Sequence, residues 1–388
     1  MSVRIITTDG DFRALQPAWE ELFLCNPNHR PYQSWEWNFT WWKHHGRDGD
    51  LRLVVVEDDG RRLLGLAPLY LARRFRGVPL RHLRFIAHKR ADYLDFLVRP
   101  GFETTFFPEL FRYLQGERRG WRFFEIRDLP DNSPNLPFVQ REAARTPSLW
   151  QLEPWEQCVT LPLMSTFDEY LAGLSKRFRK DVGYYRRSFE RSFASEFRAV
   201  STPSEIPEAL NDVIAVYKAR WQEQKGNTEY DDEEAARFER EISEVLSAAG
   251  MYQLYVLYAD KKPAAGILAY VRNNRCYVER FAHSPEFHKY SVGTVLLAMA
   301  IEHAIAKGWT EFDLMRGAED YKFRWNGQSK HNLRVRLFRS RLAMRMVAMI
   351  DWLYLRAAKV ETLHKVQAFW RRGKLARESV SAPPASGA

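Results

Sequence analysis

Apolar residues recur along the chain with two periods, one typical of helices and the other of strands. In the first half, spacings of three and four residues predict a helix capped by Asp11, a helix over 34–45 and a helix over 102–114. Short apolar runs predict strands at 51–57, 63–72, 94–98 and 122–126. This part of the chain therefore has the mixed pattern of an α/β fold.

The second half repeats this mixture with longer elements. Its apolar runs predict strands at 157–163, 252–259, 264–271, 275–283, 310–315 and 333–339. A helix begins at a capping-box pattern over 165–168, and the next one places Phe178, Val182, Tyr185 and Phe189 inward with its basic residues outward. Further helices are predicted at 204–225, 232–249, 292–306, 318–325 and 342–371, of which 292–306 is almost entirely apolar.

Pro and Asn are concentrated between 128 and 147, which predicts a linker between two halves. Residues 1–150 then form one domain and residues 151–340 a second. A basic amphipathic helix over 341–375 and a disordered tail over 376–388 follow. With 388 residues, of which 45% are hydrophobic, the chain has ample apolar material for a sizeable core.

Two landmarks occur in the same order in both halves and indicate an internal duplication. The first is an Asp six residues before a Gly, between two predicted strands, at Asp59–Gly65 and again at Asp260–Gly266. The second is the segment 120–126, GWRFFEI, which matches 308–314, GWTEFDL. We therefore expect one α/β unit that has been duplicated.

The formal net charge of +10 is concentrated in two segments. Residues 176–198 carry a net charge of +5 and residues 339–377 a net charge of +8, so the remainder is slightly acidic. This distribution predicts local anionic partners and argues against a DNA-binding protein that is basic over its whole surface.

The three cysteines, Cys25, Cys158 and Cys276, are far apart and form no CxxC pair. That spacing argues against a metal site or a disulfide framework, and it favours the reducing environment of the cytoplasm. The N-terminal residues lack the apolar core of a signal peptide.

The stretch from Tyr277 to Trp325 contains the residues best suited to chemistry. Its first strand leads into the loop 288–294, HKYSVGT, and then into the apolar helix. Ser291 and Gly293 are small enough to let backbone N–H groups approach a ligand closely. Those groups and the helix dipole suit an anion such as pyrophosphate, and Lys289 adds positive charge. A plain helix start is the alternative interpretation.

This loop resembles that of the GNAT acyltransferase superfamily, in which a strand is followed by Arg/Gln-x-x-Gly-x-Gly/Ala and a helix. His288 and Ser291 depart from the pattern at its first and fourth positions. The segments 312–325, FDLMRGAEDYKFRW, and 174–180, LSKRFRK, are similar to tandem-domain CelD/BcsL-type acetyltransferases of bacterial polysaccharide biosynthesis. FemABX peptidyltransferases share the plan. The resemblance covers about 10–340 and implies two tandem GNAT-like domains with mixed β-sheets flanked by helices, plus a C-terminal helix.

The resemblance also implies an acyl-CoA-dependent transferase, with acetyl as the acyl group, in which an amine or hydroxyl attacks the thioester directly. Backbone N–H groups near 281–283 would polarise the carbonyl, and Asp313 or Glu279 would act as the general base. Tyr321 would protonate the departing thiolate, and Lys322 would hold a phosphate or the oxyanion. The residues that would bind the cofactor are His283, His288, Lys289, Ser291, Val292, Gly293 and Thr294. Each also has an ordinary structural interpretation, as a core, capping or ion-paired side chain.

The first half has no equivalent loop. Its residues 99–102 are Arg-Pro-Gly-Phe, and proline lacks an N–H donor. We therefore expect one acyl-CoA site and no metal site, with the first domain shaping the cleft for a sugar, glycolipid or polysaccharide precursor. Two alternatives stay open. One is an aminoacyl-tRNA-dependent transferase of FemABX type, in which the basic residues 176–198 would bind the RNA. The chain has no long heptad run that would predict the coiled helical arm of such transferases, which argues against tRNA. The other is a non-catalytic binding scaffold.

The last predicted helix carries an apolar stripe flanked by basic residues. The stripe consists of Leu342, Met346, Met349, Leu353, Ala357 and Val360. The apolar stretch 346–355 contains Asp351 and is too short to cross a bilayer. Either the stripe packs against the second domain, or it docks on an anionic membrane surface. We expect a cytoplasmic protein, which in the second case lies at the inner face of the membrane.

Overall fold

A computed structural model of the chain describes residues 1–88, 90–116, 120–146, 149–226 and 228–357. The strands are β1 (Ser2–Ile6), β2 (Gly49–Leu51), β3 (Leu53–Glu57), β4 (Leu63–Ala67), β5 (Leu69–Ala72), β6 (His82–Phe85), β7 (Leu97–Val98), β8 (Phe123–Pro130), β9 (Leu149–Pro162), β10 (Ser195–Val200), β11 (Tyr252–Ala259), β12 (Lys262–Arg272), β13 (Arg275–His283), β14 (Glu311–Arg316) and β15 (Gln328–Phe338). The α-helices are α1 (Asp9–Ala14), α2 (Gln16–Leu24), α3 (Trp35–His45), α4 (Glu103–Gly116), α5 (Leu136–Arg145), α6 (Phe167–Ala172), α7 (Lys176–Ser192), α8 (Ile206–Lys225), α9 (Glu233–Ala248), α10 (Val292–Ala306), α11 (Asp320–Arg324) and α12 (341–357). The rest of the predicted last helix and the predicted tail lie outside the described residues.

One continuous sheet joins the two halves. Its eleven strands follow the order β10-β11-β12-β13-β14-β9-β15-β8-β6-β5-β2. At its centre β15 pairs antiparallel with β9 from Gln328 to Phe338, and with β8 on its other side. A second, four-stranded sheet has the order β1-β3-β4-β7. Helices flank both sheets, which confirms the predicted α/β class.

The two halves follow the same strand plan. In the first, β1, β3 and β4 pair antiparallel, and in the second β10, β11, β12 and β13 do so. Each half also contains one parallel pair, β6 with β8 and β13 with β14. The helices α4 and α10 directly precede β8 and β14 along the chain. This repeated order is what the expected duplication predicts.

Two predictions for the first half are wrong in ways that proline explains. The strand predicted at 63–72 is broken at Pro68, so β4 joins the small sheet and β5 the large one. A proline cannot donate to a ladder. The predicted linker is the end of β8 followed by α5, whose Val139 and Ala143 are fully buried. Pro137 lies in the first turn of α5, where its missing N–H is not needed.

Local capping and strand ends also differ from expectation. Thr8, not Asp11, caps α1, because the Thr8 hydroxyl accepts the Asp11 N–H at 3.1 Å. Only Leu97 and Val98 of the strand predicted at 94–98 are paired, and the described residues between β6 and β7, 86–88 and 90–96, belong to no strand of either sheet. In the second half, α7 buries Phe178, Val182 and Phe189 as predicted.

The helix α12 packs on the first half through a face that the sequence pattern did not single out. Ala343, Val347 and Ile350 are buried, and the last two belong to a cluster that includes Phe75 and Phe123. The predicted stripe lies beside this face, where Leu342, Met349 and Leu353 are 68%, 56% and 51% exposed. The expectation that the stripe itself packs against the protein is therefore wrong. Within the described residues, no helix is long and apolar enough to cross a membrane.

Candidate active site

The loop before α10 presents backbone donors at an open helix end. Ser291 has the left-handed conformation, with φ of 51°, and its carbonyl accepts the N–H groups of Thr294 and Val295 at 2.8 and 3.2 Å. The N–H groups of Val292 and Gly293, the first two helical residues, have no acceptor within the helix. The first turn of α10 contains no acidic residue. The positive end of its dipole is therefore available to an anion.

His283 and Arg220 lie beside this helix end. A Cβ atom on Gly293 would lie 3.3 Å from His283 Nδ1 and 3.4 Å from Phe281 Cζ. Arg220 of α8 donates to His283 Nε2 at 2.7 Å. Because a guanidinium has only donors, Nε2 accepts and the neutral ring carries its proton on Nδ1. Burial, together with Arg220, lowers the pKa of His283 to about 4. Arg220, rather than His283, supplies positive charge here.

His288 and Lys289 are exposed on the 3₁₀ helix Pro285–Tyr290, just before the open end. The His288 ring lies 6.0 Å from the ring of His283, so it borders the site. The ammonium of Lys289 instead stands over the Tyr290 ring at 4.8 Å. His288 therefore lies at the border of the site, whereas the Lys289 ammonium lies over Tyr290.

Tyr321 faces the same side of the site as Phe281. The centroids of their rings are 6.2 Å apart. Burial and the nearby Glu319 carboxylate raise the pKa of Tyr321. Its phenol therefore keeps its proton at neutral pH, which is the state required of a proton donor.

Lys322 lies next to Tyr321 in sequence but has a different environment, and this corrects the role expected of it. Its ammonium is buried and donates to the carbonyl oxygens of Met315, Arg316 and Gly317 at 3.3, 2.8 and 3.0 Å. It also pairs with a Glu319 oxygen at 3.0 Å. An ammonium has three donors, and these partners already use them. Lys322 therefore holds the end of β14 in place and is not free for a phosphate or an oxyanion.

Glu279 lies at the point where two parallel strands separate. Val278 pairs with Ala269 and Arg280 with Leu268, so Glu279 is the extra residue of a β-bulge. The parallel pairing of β13 with β14 ends at Tyr277. Beyond that residue, the β14 side of β13 has no ladder partner in β14. The bulge therefore presents Glu279 where the sheet opens.

The Glu279 carboxylate is hydrogen-bonded from both halves. Tyr32 of the first half donates to Oε2 at 3.0 Å, and Arg280 donates to Oε1 at 2.5 Å. The side chain is 10% exposed. Burial raises the pKa of Glu279 to about 7, against the opposing effect of Arg280. A carboxyl with this pKa can exchange a proton at neutral pH, as a general base must.

Asp313 lies on the neighbouring strand β14, opposite Tyr277, but is more enclosed. The Tyr93 hydroxyl donates to its Oδ2 and the Met315 N–H to its Oδ1, both at 2.7 Å. Asp313 is 2% exposed, and burial raises its pKa to about 7. Protein groups bind both oxygens of each carboxyl group, but Asp313 is more completely buried than the Glu279 side chain, so Asp313 has less room for a substrate.

The first half contributes residues that sequence reasoning missed. Tyr32 reaches Glu279, and Tyr93, on the loop residues 90–96, reaches Asp313. Asp92 on the same loop pairs with Arg316 at 3.0 Å. The local pattern of the chain carries no signal for these contacts, because they join residues more than 200 positions apart. Arg220 was missed for a similar reason, as one of several basic residues on an amphipathic helix.

No group of three or more His, Cys, Asp or Glu side chains in the described part of the chain is arranged to hold a metal ion. The cysteines are unpaired, with Cys158 and Cys276 buried and Cys25 half-buried.

Comparisons with known proteins agree with this geometry. Residues 176–323 match the family model of an acetyltransferase (GNAT) domain. The chain is similar to the crystal structure of FemX, with a TM-score of 0.58 and 12% identity over 86% of this chain and 97% of that chain. It is also similar to the C-terminal domain of a putative lysylphosphatidylglycerol synthetase from Agrobacterium fabrum, with a TM-score of 0.52 and 10% identity over 88% and 97%. A third similar structure is a conserved protein of unknown function from Bacteroides thetaiotaomicron, with a TM-score of 0.50 and 11% identity over 87% and 100%. No curated protein sequence matches the chain.

Residues 176–323 of the second half therefore match a GNAT acetyltransferase domain, and the fold of the whole chain is similar to that of FemX. The predicted fold of two GNAT-like halves is thereby confirmed. The matched residues include α7, β13, the loop 284–291 and α10, which are the elements that build the site.

Proposed function

We propose that this protein is an acyl-CoA-dependent acyltransferase that transfers an acetyl group to an amine or hydroxyl of a sugar, glycolipid or polysaccharide precursor. The observation that supports it is the open, uncompensated N-terminus of α10 inside the matched GNAT domain. The N–H groups of Val292 and Gly293 would bind the CoA pyrophosphate, and Arg220 would add a positive charge. The acceptor class follows the resemblance of 312–325 to polysaccharide acetyltransferases.

In the proposed reaction, the acceptor's nitrogen or oxygen attacks the thioester carbon, and Glu279 takes its proton. Backbone N–H groups of β13 near 281–283 that face away from β12, where the pairing with β14 has ended, would stabilise the oxyanion. The C–S bond then breaks, and Tyr321 gives its proton to the leaving thiolate. Asp313 positions β14 against Tyr93, and Lys322 holds the end of that strand.

The experiment that tests the CoA site is calorimetry with CoA on wild type and Gly293→Val. The branched side chain would occupy the space between Gly293 and His283, so we expect the Kd to rise at least about tenfold, a loss of about 1.4 kcal/mol or more. Gly116→Val, at an open position of α4 where a Cβ atom meets nothing within 4 Å, is the control. Unchanged affinity in a folded Gly293→Val protein would refute the site.

A second candidate donor, aminoacyl-tRNA, is favoured by one observation. The exposed side of α7 carries Lys176, Arg177, Arg179 and Lys180 without an acidic residue between them. Thermal shift with acetyl-CoA and with aminoacyl-tRNA compares the donors directly, because a ligand that binds the folded state raises the melting temperature. Stabilisation by acetyl-CoA alone supports the first proposal, and stabilisation by aminoacyl-tRNA alone replaces its donor.

We also propose that α12 docks on an anionic membrane at its cytoplasmic face. Its exposed apolar residues are flanked by Arg341, Arg345 and Arg356, a combination that suits acidic headgroups. Liposome co-sedimentation tests this with Leu353→Glu, an exposed site whose replacement leaves the buried face intact. Leu24→Glu, at an exposed leucine of α2, is the matched control. Equal sedimentation of the two variants with anionic vesicles would refute docking through α12.

A further inference from the structure

A cavity of about 1090 Å³ lies in the first half, lined by none of the residues at the α10 loop. Its walls include α3, β5, the turn at 73–77, β6 and Tyr354 of α12. Seven arginines line it, but only two carboxylates, Asp48 and Glu234, do so among the described residues. A cavity with this excess of guanidinium groups is suited to an anion.

Three arginines share one buried carboxylate at the back of this cavity. Arg84, Arg127 and Arg336 lie 3.5, 3.1 and 2.8 Å from the oxygens of Glu125. The side chain of Glu125 is 1% exposed. Their combined charge holds the pKa of this carboxyl well below its usual range, although burial opposes the effect. One carboxylate therefore neutralises only part of the charge around it.

A second carboxylate extends the cluster without balancing it. Asp351 of α12 lies 2.6 Å from Arg336 and 2.5 Å from Arg76. Counting Arg84 and Arg127 as well, four guanidinium groups share two carboxylates in this cluster. Two positive charges therefore remain without a carboxylate of their own in the connected network.

This excess charge is held largely away from water. The side chains of Arg84, Arg127 and Arg76 are 10%, 19% and 17% exposed. The Nε atoms of Arg84 and Arg127 are buried and have no hydrogen-bond partner. A buried charge without its counterion is costly, as is a buried donor without an acceptor. A bound anion would remove both costs.

The mouth of the cavity adds charge that protein carboxylates do not neutralise. Arg74 donates to the Gly77 carbonyl at 2.9 Å. In the part of the chain that the structure describes, neither Arg74 nor Arg47 has a carboxylate within ion-pair distance. Trp41 and Tyr70 line the cavity beside these arginines and offer an apolar surface to the body of a ligand.

We propose that this cavity binds a phosphate or diphosphate group of a ligand other than the acyl donor. The site is separate from the α10 loop and does not depend on the function proposed above. Such a group could belong to a free phosphorylated molecule or to a lipid headgroup. The second source is relevant because Tyr354, over the Arg76 guanidinium at 4.0 Å, belongs to the helix with the exposed apolar face.

The test begins with calorimetric titration of inorganic pyrophosphate into the full chain saturated with CoA, which occupies any diphosphate site at the α10 loop. The cavity variant is R47E/R74E, because both arginines lack a carboxylate partner. Its control is R112E/R145E, which makes the same charge change on α4 and α5 at side chains that are 70% and 68% exposed. Thermal unfolding checks that both variants fold.

We expect wild type and the control to bind pyrophosphate, and the cavity variant to bind it at least about tenfold more weakly. Wild-type affinity should fall as salt is added, since the contacts are ionic. If CoA fails to bind, the proposed function fails, and titration of pyrophosphate alone still reports on the cavity. Equal affinity in the two folded variants would overturn the cavity proposal.

The lipid source is tested with vesicles of phosphatidylcholine with and without phosphatidic acid. Sedimentation that needs phosphatidic acid and is lost in R47E/R74E but kept in R112E/R145E assigns the cavity to a lipid phosphate. Pyrophosphate binding without such sedimentation assigns it to a free phosphorylated ligand. If wild type binds neither pyrophosphate nor phosphatidic acid vesicles, the cavity does not recognise phosphate and the proposal is wrong.

Discussion

The helices α4 and α10 occupy corresponding places in the two halves, yet their N-termini have opposite chemistry. At α4 the Glu103 carboxylate accepts the Gly101 N–H at 2.9 Å, and Pro100 just before it provides no donor. The first turn of α10 contains no acid. No proline lies between Pro285 and the start of this helix. An acid at a helix N-terminus compensates the dipole from within the chain. The comparison teaches that, in two halves with the same strand plan, a few residues at one helix end decide whether the dipole is compensated from within the chain.

The strands before these helices differ as well. In the second half β13 runs without interruption into its bulge at Glu279 and on to His283. In the first half β6 ends at Phe85, and the next strand, β7, begins only at Leu97. Tyr93, between these two strands, reaches Asp313 in the other half. The described part of the first half therefore has no counterpart of the α10 loop, but its Tyr93 contacts Asp313 in the second half.

The largest expected effect is on kcat, and it comes from replacing Glu279, the proposed general base in the second half. Glu279→Gln should lower kcat about 10²–10⁴-fold, because an amide cannot accept the proton. Binding of CoA should be unchanged, since the Glu279 carboxylate is held by Tyr32 and Arg280 and not by residues of the α10 loop. Steady-state kinetics and calorimetry on the same preparation measure both quantities.

Asp313→Asn is the matched variant on the neighbouring strand. Because Asp313 is more completely buried than the Glu279 side chain, a substrate reaches it less easily, and we expect a smaller loss of kcat than in Glu279→Gln. A dead Asp313→Asn enzyme beside an active Glu279→Gln enzyme would transfer the base role to Asp313.

The next largest effect concerns the lysine that holds the end of β14. Counted from the shared landmark at 120–126 and 308–314, the matching position in the first half is Pro134, so only one half has this lysine. Lys322→Met removes three hydrogen bonds from a charged donor and should lower the free energy of unfolding by about 2–4 kcal/mol. Urea denaturation measures it. The exposed Lys289→Met should stay within about 0.5 kcal/mol of wild type, and an equal loss in both would argue against the role of Lys322.

The helix ends themselves can be exchanged. Thr294→Glu gives α10 an acid in its first turn, as α4 has, and should weaken CoA binding about tenfold by repelling the pyrophosphate. The opposite change, Glu103→Gln, should cost about 0.3–1 kcal/mol of stability and leave CoA affinity unaltered. For both variants, calorimetry measures the affinity for CoA and thermal unfolding measures the stability. Full CoA affinity in Thr294→Glu would remove the reason for placing CoA at α10.

The smallest effect tests the contact that Tyr32 makes across the halves. Deprotonation of Glu279 should make kcat/KM rise with pH, with a midpoint near its pKa of about 7. The Tyr32 hydroxyl stabilises the carboxylate form, so Tyr32→Phe should raise this midpoint by about one pH unit. Tyr170→Phe removes a buried hydroxyl that donates to the Trp325 carbonyl and should leave the midpoint in place. A midpoint that does not move in Tyr32→Phe would contradict the contact.

Local patterns predicted the elements that one property dominates. The helix over 292–306 was predicted with the bounds of α10, because its apolar run is long and ends cleanly. The pattern was less informative for α12, where two adjacent apolar faces compete and the buried one is Ala343, Val347 and Ile350. Periodicity alone cannot say which of two such faces has a partner.

The sequence predicted which segments form the candidate site, but not which side chains contact each other there. The loop at Ser291 and Gly293 and the neighbouring strands with Glu279 and Asp313 could be inferred from sequence, whereas Tyr32 and Tyr93 could not. For Lys322 the sequence predicted a ligand-binding role that the structure does not support. Its ammonium donates to backbone carbonyl groups instead. Long-range partners determine these roles, and a single sequence does not encode them locally.

The unbroken ladder through β14, β9, β15 and β8 limits how this protein can move during turnover. A hinge between the halves would have to break the hydrogen bonds of β9 and β15, which pair from Leu149 to Thr160 and from Gln328 to Phe338. Closure of one half on the other, the usual route by which two-domain enzymes exclude water, is therefore not open to it. Substrates and products would then exchange at the rim of a rigid body, without a movement of one half against the other.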